Sequence, residues 1–179
     1  MNESRRRTMR AGISTAAAAA LLLGTGGAAS AGGGGAQVTK ASGPTYLYGT
    51  VNPLAGVALE IHAVQTPSEK AIVSLHATGF APNLAGRTFG AHVHVNACGA
   101  TGAVAGGHHQ NSLPTTDLEA REIWLDLTVD AGGTAQARAT RDWVFTSSAQ
   151  SVVVHESPTD PTTGGAGPRL ACTDAPFRL

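Results

Sequence analysis

The chain reads as an all-β protein, an antiparallel β-sandwich or flattened barrel of about eight strands. Three observations lead there. Apolar and polar residues alternate at period two through several short runs. Glycine- and proline-rich junctions separate those runs, in keeping with 23 glycines and 9 prolines in 179 residues. No long stretch carries helical spacing.

Residues 1–31 stand apart from that pattern. Arg5-Arg6-Arg7 is followed by an Ala/Leu run from Thr15 to Leu23 and then by small residues ending in Ala29-Ser30-Ala31. A basic start, a short apolar stretch and an A-x-A end form a secretory signal peptide, with the mature chain starting near Gly32. Ser4 to Arg10 also resembles a twin-arginine export signal, although Thr8 sits where a large apolar residue is usual. The expected location is therefore outside the cell or in its envelope. Residues 32–45, rich in Gly, Ala, Ser and Thr without periodicity, read as a flexible linker. The folded domain is expected over 46–179.

The strands follow in order. In Val57-Ala58-Leu59-Glu60-Ile61-His62-Ala63 every second residue is apolar, and Ile72 to Ala77 repeats the pattern. Thr66-Pro67-Ser68-Glu69 between them is a turn, so the two runs form a hairpin. Further strand-like runs cover Thr88–Ala97, Ile123–Val129, Thr134–Phe145, Ser151–Glu156 and Leu170–Thr173. Asp130-Ala131-Gly132-Gly133 and Thr163-Gly164-Gly165 punctuate them.

Charge and composition narrow the function classes. Removing the leader takes away Arg5, Arg6, Arg7, Arg10 and Glu3, so 12 basic and 12 acidic residues become 8 and 11, a net charge near −3. That excludes a nucleic-acid partner, which needs basic surplus to neutralise phosphates. No apolar run reaches the ~18 residues of a membrane span. Cys98 and Cys172 are the only cysteines, and an exported chain with an even count is expected to oxidise them to a disulfide.

The 7 histidines divide cleanly. His62 and His76 occupy the polar positions of the first hairpin and read as solvent-facing. The others fall in three motifs: His92-Val93-His94, His108-His109 and Val154-His155-Glu156. His92 and His94, at i and i+2 on a strand, project from one face, where two ring nitrogens can converge on one ion. An imidazole set without thiolates suits Cu(II), Zn(II) or Ni(II).

These motifs resemble the copper/zinc superoxide dismutase family. Gly90-Ala91-His92-Val93-His94 resembles its Gly-x-His-x-His motif, Gly106-Gly107-His108 its Gly-Pro-His segment, and Val152-Val153-Val154-His155-Glu156 its Val-Val-His-Glu segment. Gly165 to Cys172 is similar to its Gly-Asn-Ala-Gly-Ser-Arg-Leu-Ala-Cys ending. The resemblance implies a Greek-key β-sandwich with His92, His94, His108 and His155 as copper ligands. It also implies Arg169 as the group that docks superoxide, His108 as a proton carrier, and Cys98–Cys172 as the family disulfide. His109 stands where the family usually has an aromatic residue and reads as structural or exposed, with proton transfer a secondary role.

The sequence departs from the zinc-containing members. The loop from His109 to Arg121 has no further histidine, so their zinc site is not expected, and only eight residues separate His155 from Gly164. Pro168 replaces the usual small polar residue before the arginine. The combination resembles a copper-only, exported bacterial branch. Without zinc, His108 needs another acceptor for its second nitrogen. Glu122 is the expected one, with Glu119 and Asp126 as weaker candidates. The expected activity is conversion of superoxide to dioxygen and hydrogen peroxide. The alternative is a non-catalytic copper-binding or copper-buffering module on the same fold. A homodimer is left open.

Overall fold

The computed structural model describes residues 35–145 and 148–177. The leader expected over residues 1–31 lies outside the described residues. The architecture is the expected all-β sandwich, although with ten strands among the described residues rather than about eight, because three are only two residues long. They are β1 (Gln37–Gly43), β2 (Tyr46–Leu47), β3 (Ala58–Gln65), β4 (Ala71–Thr78), β5 (Thr88–Phe89), β6 (Ala91–His94), β7 (Leu127–Thr128), β8 (Thr134–Arg141), β9 (Ser151–His155) and β10 (Arg169–Asp174). One sheet has the order β1-β3-β4-β8, the other β2-β10-β9-β6, and β5 pairs with β7. All pairings are antiparallel. Strands distant in sequence lie side by side, β4 with β8 and β6 with β9, as Greek-key crossovers require.

The period-two alternation decides which residues meet. In the β3–β4 hairpin Leu59 faces Ala77, Ile61 faces Leu75 and Ala63 faces Val73, all buried. Ala91, Val93, Val152, Val154 and Ala171 from the second sheet close the same core. Burying each larger aliphatic side chain stabilises by roughly 1.5–3 kcal/mol relative to exposure. His62 and His76 alternate outward and are exposed, as expected.

Three expectations about elements need correction. The linker read over residues 32–45 contains β1, which pairs with β3 along its whole length, Gln37 against Gln65 through Gly43 against Leu59. A small-residue edge strand has little periodicity of its own, and the hydrogen bonds of β3 supply its order. The run Thr88–Ala97 is split at Gly90 into β5 and β6. Ile123–Val129 is regular only at β7, yet Leu125 N–H donates to Ala91 O at 2.7 Å, which keeps the segment against β6. A four-residue helix, α1 (Leu118–Arg121), was not foreseen; its Asp117 cap accepts from Glu119 N and Ala120 N, and one turn is too short to show a period.

The outer face of the second sheet positions the site. His92, Val153 and Cys172 lie in one row across β6, β9 and β10. A second apolar cluster of Ala105, Val153 and Cys172, with Tyr48 and Cys98 against it, covers part of that face. Cys98 and Cys172 form the expected disulfide across 74 positions. In the chain-entropy model a closure of that length stabilises by roughly 4–5 kcal/mol. It also pins the loop bearing the 3-10 turn Gly102–Ala105 beside β10.

Candidate metal centre

Four histidines from three strand-and-loop segments converge on that outer face. His92 and His94 come from β6, as the i, i+2 spacing predicts, and His155 ends β9 two residues beyond outward-facing Val153. His108 reaches them from the loop after the 3-10 turn, where it bridges to His94 in antiparallel fashion. One ring nitrogen from each of His92, His94, His108 and His155 lies within 4.8 Å of the others. His92, His94 and His155 are buried; His108 is half-buried and forms the open side.

Hydrogen bonds account for the other nitrogen of every ring. His94 Nδ1 lies 3.1 Å from Gly106 O and His155 Nδ1 lies 3.0 Å from Gly167 O. A carbonyl only accepts, so each Nδ1 carries the proton and each Nε2 keeps its lone pair. His108 Nδ1 donates to Glu122 Oε2 at 2.8 Å, with the same consequence. His92 runs the other way, with Nε2 2.7 Å from Thr159 Oγ1 and Nδ1 buried without a hydrogen-bond partner. His94 Nε2 and His155 Nε2 stand 3.4 Å apart. Two lone pairs at that distance repel, and a cation between them reverses the sign. The spacing is below twice a metal–imidazole bond of about 2.0 Å, so one ion can reach both. An all-imidazole donor set and an orphaned buried ring nitrogen fit a borderline transition-metal ion.

Burial keeps His92, His94 and His155 neutral, the form a ligand needs. It pushes His92 down to about 2, His94 to about 3 and His155 to about 4, with the neighbouring His108 adding to each shift. The unfolded chain takes up those protons from pH 6.5 downward, whereas the native state resists until about pH 4 and below. The metal-free protein is therefore expected to lose stability as pH falls from 6.5 to 4, by up to about 1.4 kcal/mol per pH unit for each such histidine. Urea midpoints measured across that range check this, and a flat profile refutes it.

Glu122 is where the sequence expected it. Its side chain is buried and accepts from His108 and, at 2.7 Å each, from Trp124 Nε1 and Gln110 Nε2. Burial alone raises a carboxyl, but these bonds outweigh it and hold Glu122 below its usual range. The short loop closes over this pair at Gly164, where φ is +71° and an added Cβ would sit 3.6 Å from Glu122 Oε2. Of the weaker candidates, Glu119 is exposed near Arg141, and Asp126 serves a different histidine, accepting from Thr159.

Arg169 joins the site through a β-bulge. The β10–β9 register shifts between Arg169 and Ala171, so Leu170 and Ala171 both enter the core. Regular alternation would turn Arg169 inward; the shift pairs it with His155 on the outer face. Its guanidinium donates to Gly102 O and, at 2.5 Å, to Gly106 O. Gly106 O thus serves both His94 Nδ1 and Arg169. Gly106 takes φ +72°, and a Cβ there would come within 2.7 Å of Val95, so only glycine presents the carbonyl this way.

His109 is structural: it is buried, with Trp143 and Phe145 at ring distances of 5.7 and 5.5 Å. Sequence reasoning missed Thr159, Trp124, Gln110 and the carbonyls of Gly106 and Gly167. Thr159, four residues after His155, lies in a short loop with no pattern to mark it.

No family model and no curated protein matches the chain. A solved structure, the crystal structure of the clock protein EA4, matches with a TM-score of 0.54 at 19% identity, covering 79% of this chain and 94% of that one. At that identity the likeness speaks for the fold alone. No helix among the described residues is long and apolar enough to cross a membrane.

Proposed function

We propose that the protein is an exported superoxide dismutase with a single copper per chain, held by His92, His94, His108 and His155. The observation that carries this is the proton inventory above: His94, His108 and His155 each donate from one nitrogen to a protein acceptor and turn the other to their neighbours, and His92 turns a buried nitrogen without a hydrogen-bond partner to them. Beside that cluster stands a guanidinium fixed by two carbonyls. A disulfide among the described residues is compatible with export.

Copper bound there supplies one-electron exchange, by which one superoxide leaves as dioxygen and a second, with two protons, leaves as hydrogen peroxide. Arg169 draws the anion into a site whose three buried histidines, His92, His94 and His155, are neutral, and orients it. His108, half-buried at the open side, is the ring placed to pass a proton to the reduced product; its Nε2 would carry that proton only while released from the metal, and its Nδ1 proton would stay on the ring, donated to Glu122. Glu122 fills the place behind His108, leaving Nδ1 no lone pair for a second ion, so zinc is not part of this reading.

Reconstitution with both metals is expected to yield about one copper and little zinc per chain, together with catalysed superoxide decay. Tightly held stoichiometric zinc overturns the copper-only reading. Copper without accelerated decay reduces the protein to a copper-binding or copper-buffering module.

A further inference from the structure

His92 differs from the other three histidines. Their Nδ1 protons point at two carbonyls and a carboxylate, groups that only accept. His92 meets a hydroxyl, Thr159 Oγ1, which can donate or accept. A hydroxyl alone leaves the tautomer open. If Thr159 donated to Nε2, the ring proton would sit on Nδ1, aimed at the cluster, and His92 could not be a ligand.

Asp126 removes that freedom. Its Oδ2 accepts from Thr159 N at 2.8 Å and its Oδ1 lies 2.5 Å from Thr159 Oγ1. An ionised carboxylate has no proton to give, so the hydroxyl's one proton goes to Asp126. Thr159 Oγ1 is then only an acceptor toward His92, and Nε2 must donate. Held at both oxygens, the carboxylate cannot rotate away. We infer that Thr159 and Asp126 form a tautomer lock: they hold the His92 proton on Nε2 and thereby keep the Nδ1 lone pair facing the other three rings. Both are positioning residues, acting through His92. The consequence for copper rests on the proposed function; the tautomer itself does not.

The lock predicts an ordered set of variants. Thr159→Ser keeps the hydroxyl and keeps the lock. Thr159→Val removes it and strands Nε2–H. Asp126→Asn reverses it: with the amide oxygen kept on Thr159 N–H, its NH₂ donates to Oγ1, and the hydroxyl proton turns to His92 Nε2. Thr128→Val, on a surface hydroxyl paired with Thr88, is the control.

The test reads the His92 ring nitrogens of the metal-free, ¹⁵N-histidine-labelled full chain by long-range ¹H–¹⁵N NMR, then Cu(II) affinity by competition with a chelator. Wild type, Thr128→Val and Thr159→Ser are expected to show protonated Nε2 and bare Nδ1. Asp126→Asn is expected to gain Nδ1–H, and Thr159→Val to show a mixture. Copper affinity is expected to fall about 10–100-fold in Thr159→Val and Asp126→Asn and to be retained in Thr159→Ser. Protonated Nδ1 in the metal-free wild type overturns the lock without any variant having to fold. So does a wild-type ring pattern in both Thr159→Val and Asp126→Asn. A wild type with protonated Nε2 that binds no copper upholds the lock and defeats the proposed function.

Discussion

Glu122→Leu is expected to weaken copper binding about 10–100-fold and to destabilise the fold. The carboxylate takes three donors, His108 Nδ1 and Trp124 Nε1 on one oxygen and Gln110 Nε2 on the other. Leucine has nearly the same size and no acceptor. The His108 and Trp124 protons are then stranded, at about 1–3 kcal/mol for each buried donor, while exposed Gln110 turns to water. His108 also loses the partner that fixes its tautomer and ring plane. Glu122→Gln is milder, because its amide oxygen can still accept from His108 if its NH₂ faces the adaptable Gln110. The order wild type, Glu122→Gln, Glu122→Leu should appear in both copper competition and urea unfolding. Copper affinity in Glu122→Leu equal to wild type removes Glu122 from the site's support.

Arg169→Ala is expected to lower the rate of superoxide decay at least about tenfold with copper still bound. Three features make the effect large. Residues 32–179 are net acidic by three charges, so their field repels an anion. The buried ligand rings are neutral. Arg169 is the cation fixed beside them, and its charge contributes to keeping His92, His94 and His155 unprotonated. The wild-type rate should fall with ionic strength, and that slope should flatten in the variant. Arg169→Lys keeps the charge but has no fork to span Gly102 O and Gly106 O, so its rate is expected to lie between the two. An unchanged rate and salt slope in Arg169→Ala remove Arg169 from the mechanism.

Much of the site was legible because it is written in short-range spacing. The i, i+2 pair His92 and His94 needs only a strand to share a face, and β6 is that strand. The need for an acceptor behind His108 followed from the chemistry of an imidazole ligand, and Glu122 meets it. Thr159 was not legible. A threonine in an eight-residue loop has no pattern marking it, and its partner Asp126 lies 33 positions earlier. Asp126 was noticed for the wrong histidine, since sequence distance says little about which of two adjacent rings a carboxylate will face.

By itself the sequence determined the class of the fold, the faces of its central strands and the cysteine pair; the family resemblance picked out the four histidines, and the carboxylate was narrowed to Glu122, Glu119 and Asp126. Each depends on alternation, on residue chemistry, or on motifs of a few residues. Only the tertiary structure decided that residues 37–43 are a strand, because an edge strand takes its hydrogen bonds from a neighbour that local sequence does not specify. It also decided the side on which Arg169 emerges. Counting by twos from outward-facing Cys172 turns Arg169 inward, and one extra residue in the register turns it out. A bulge is fixed by what the core on one side and the carbonyls of Gly102 and Gly106 on the other will accept, and those partners lie more than sixty positions away.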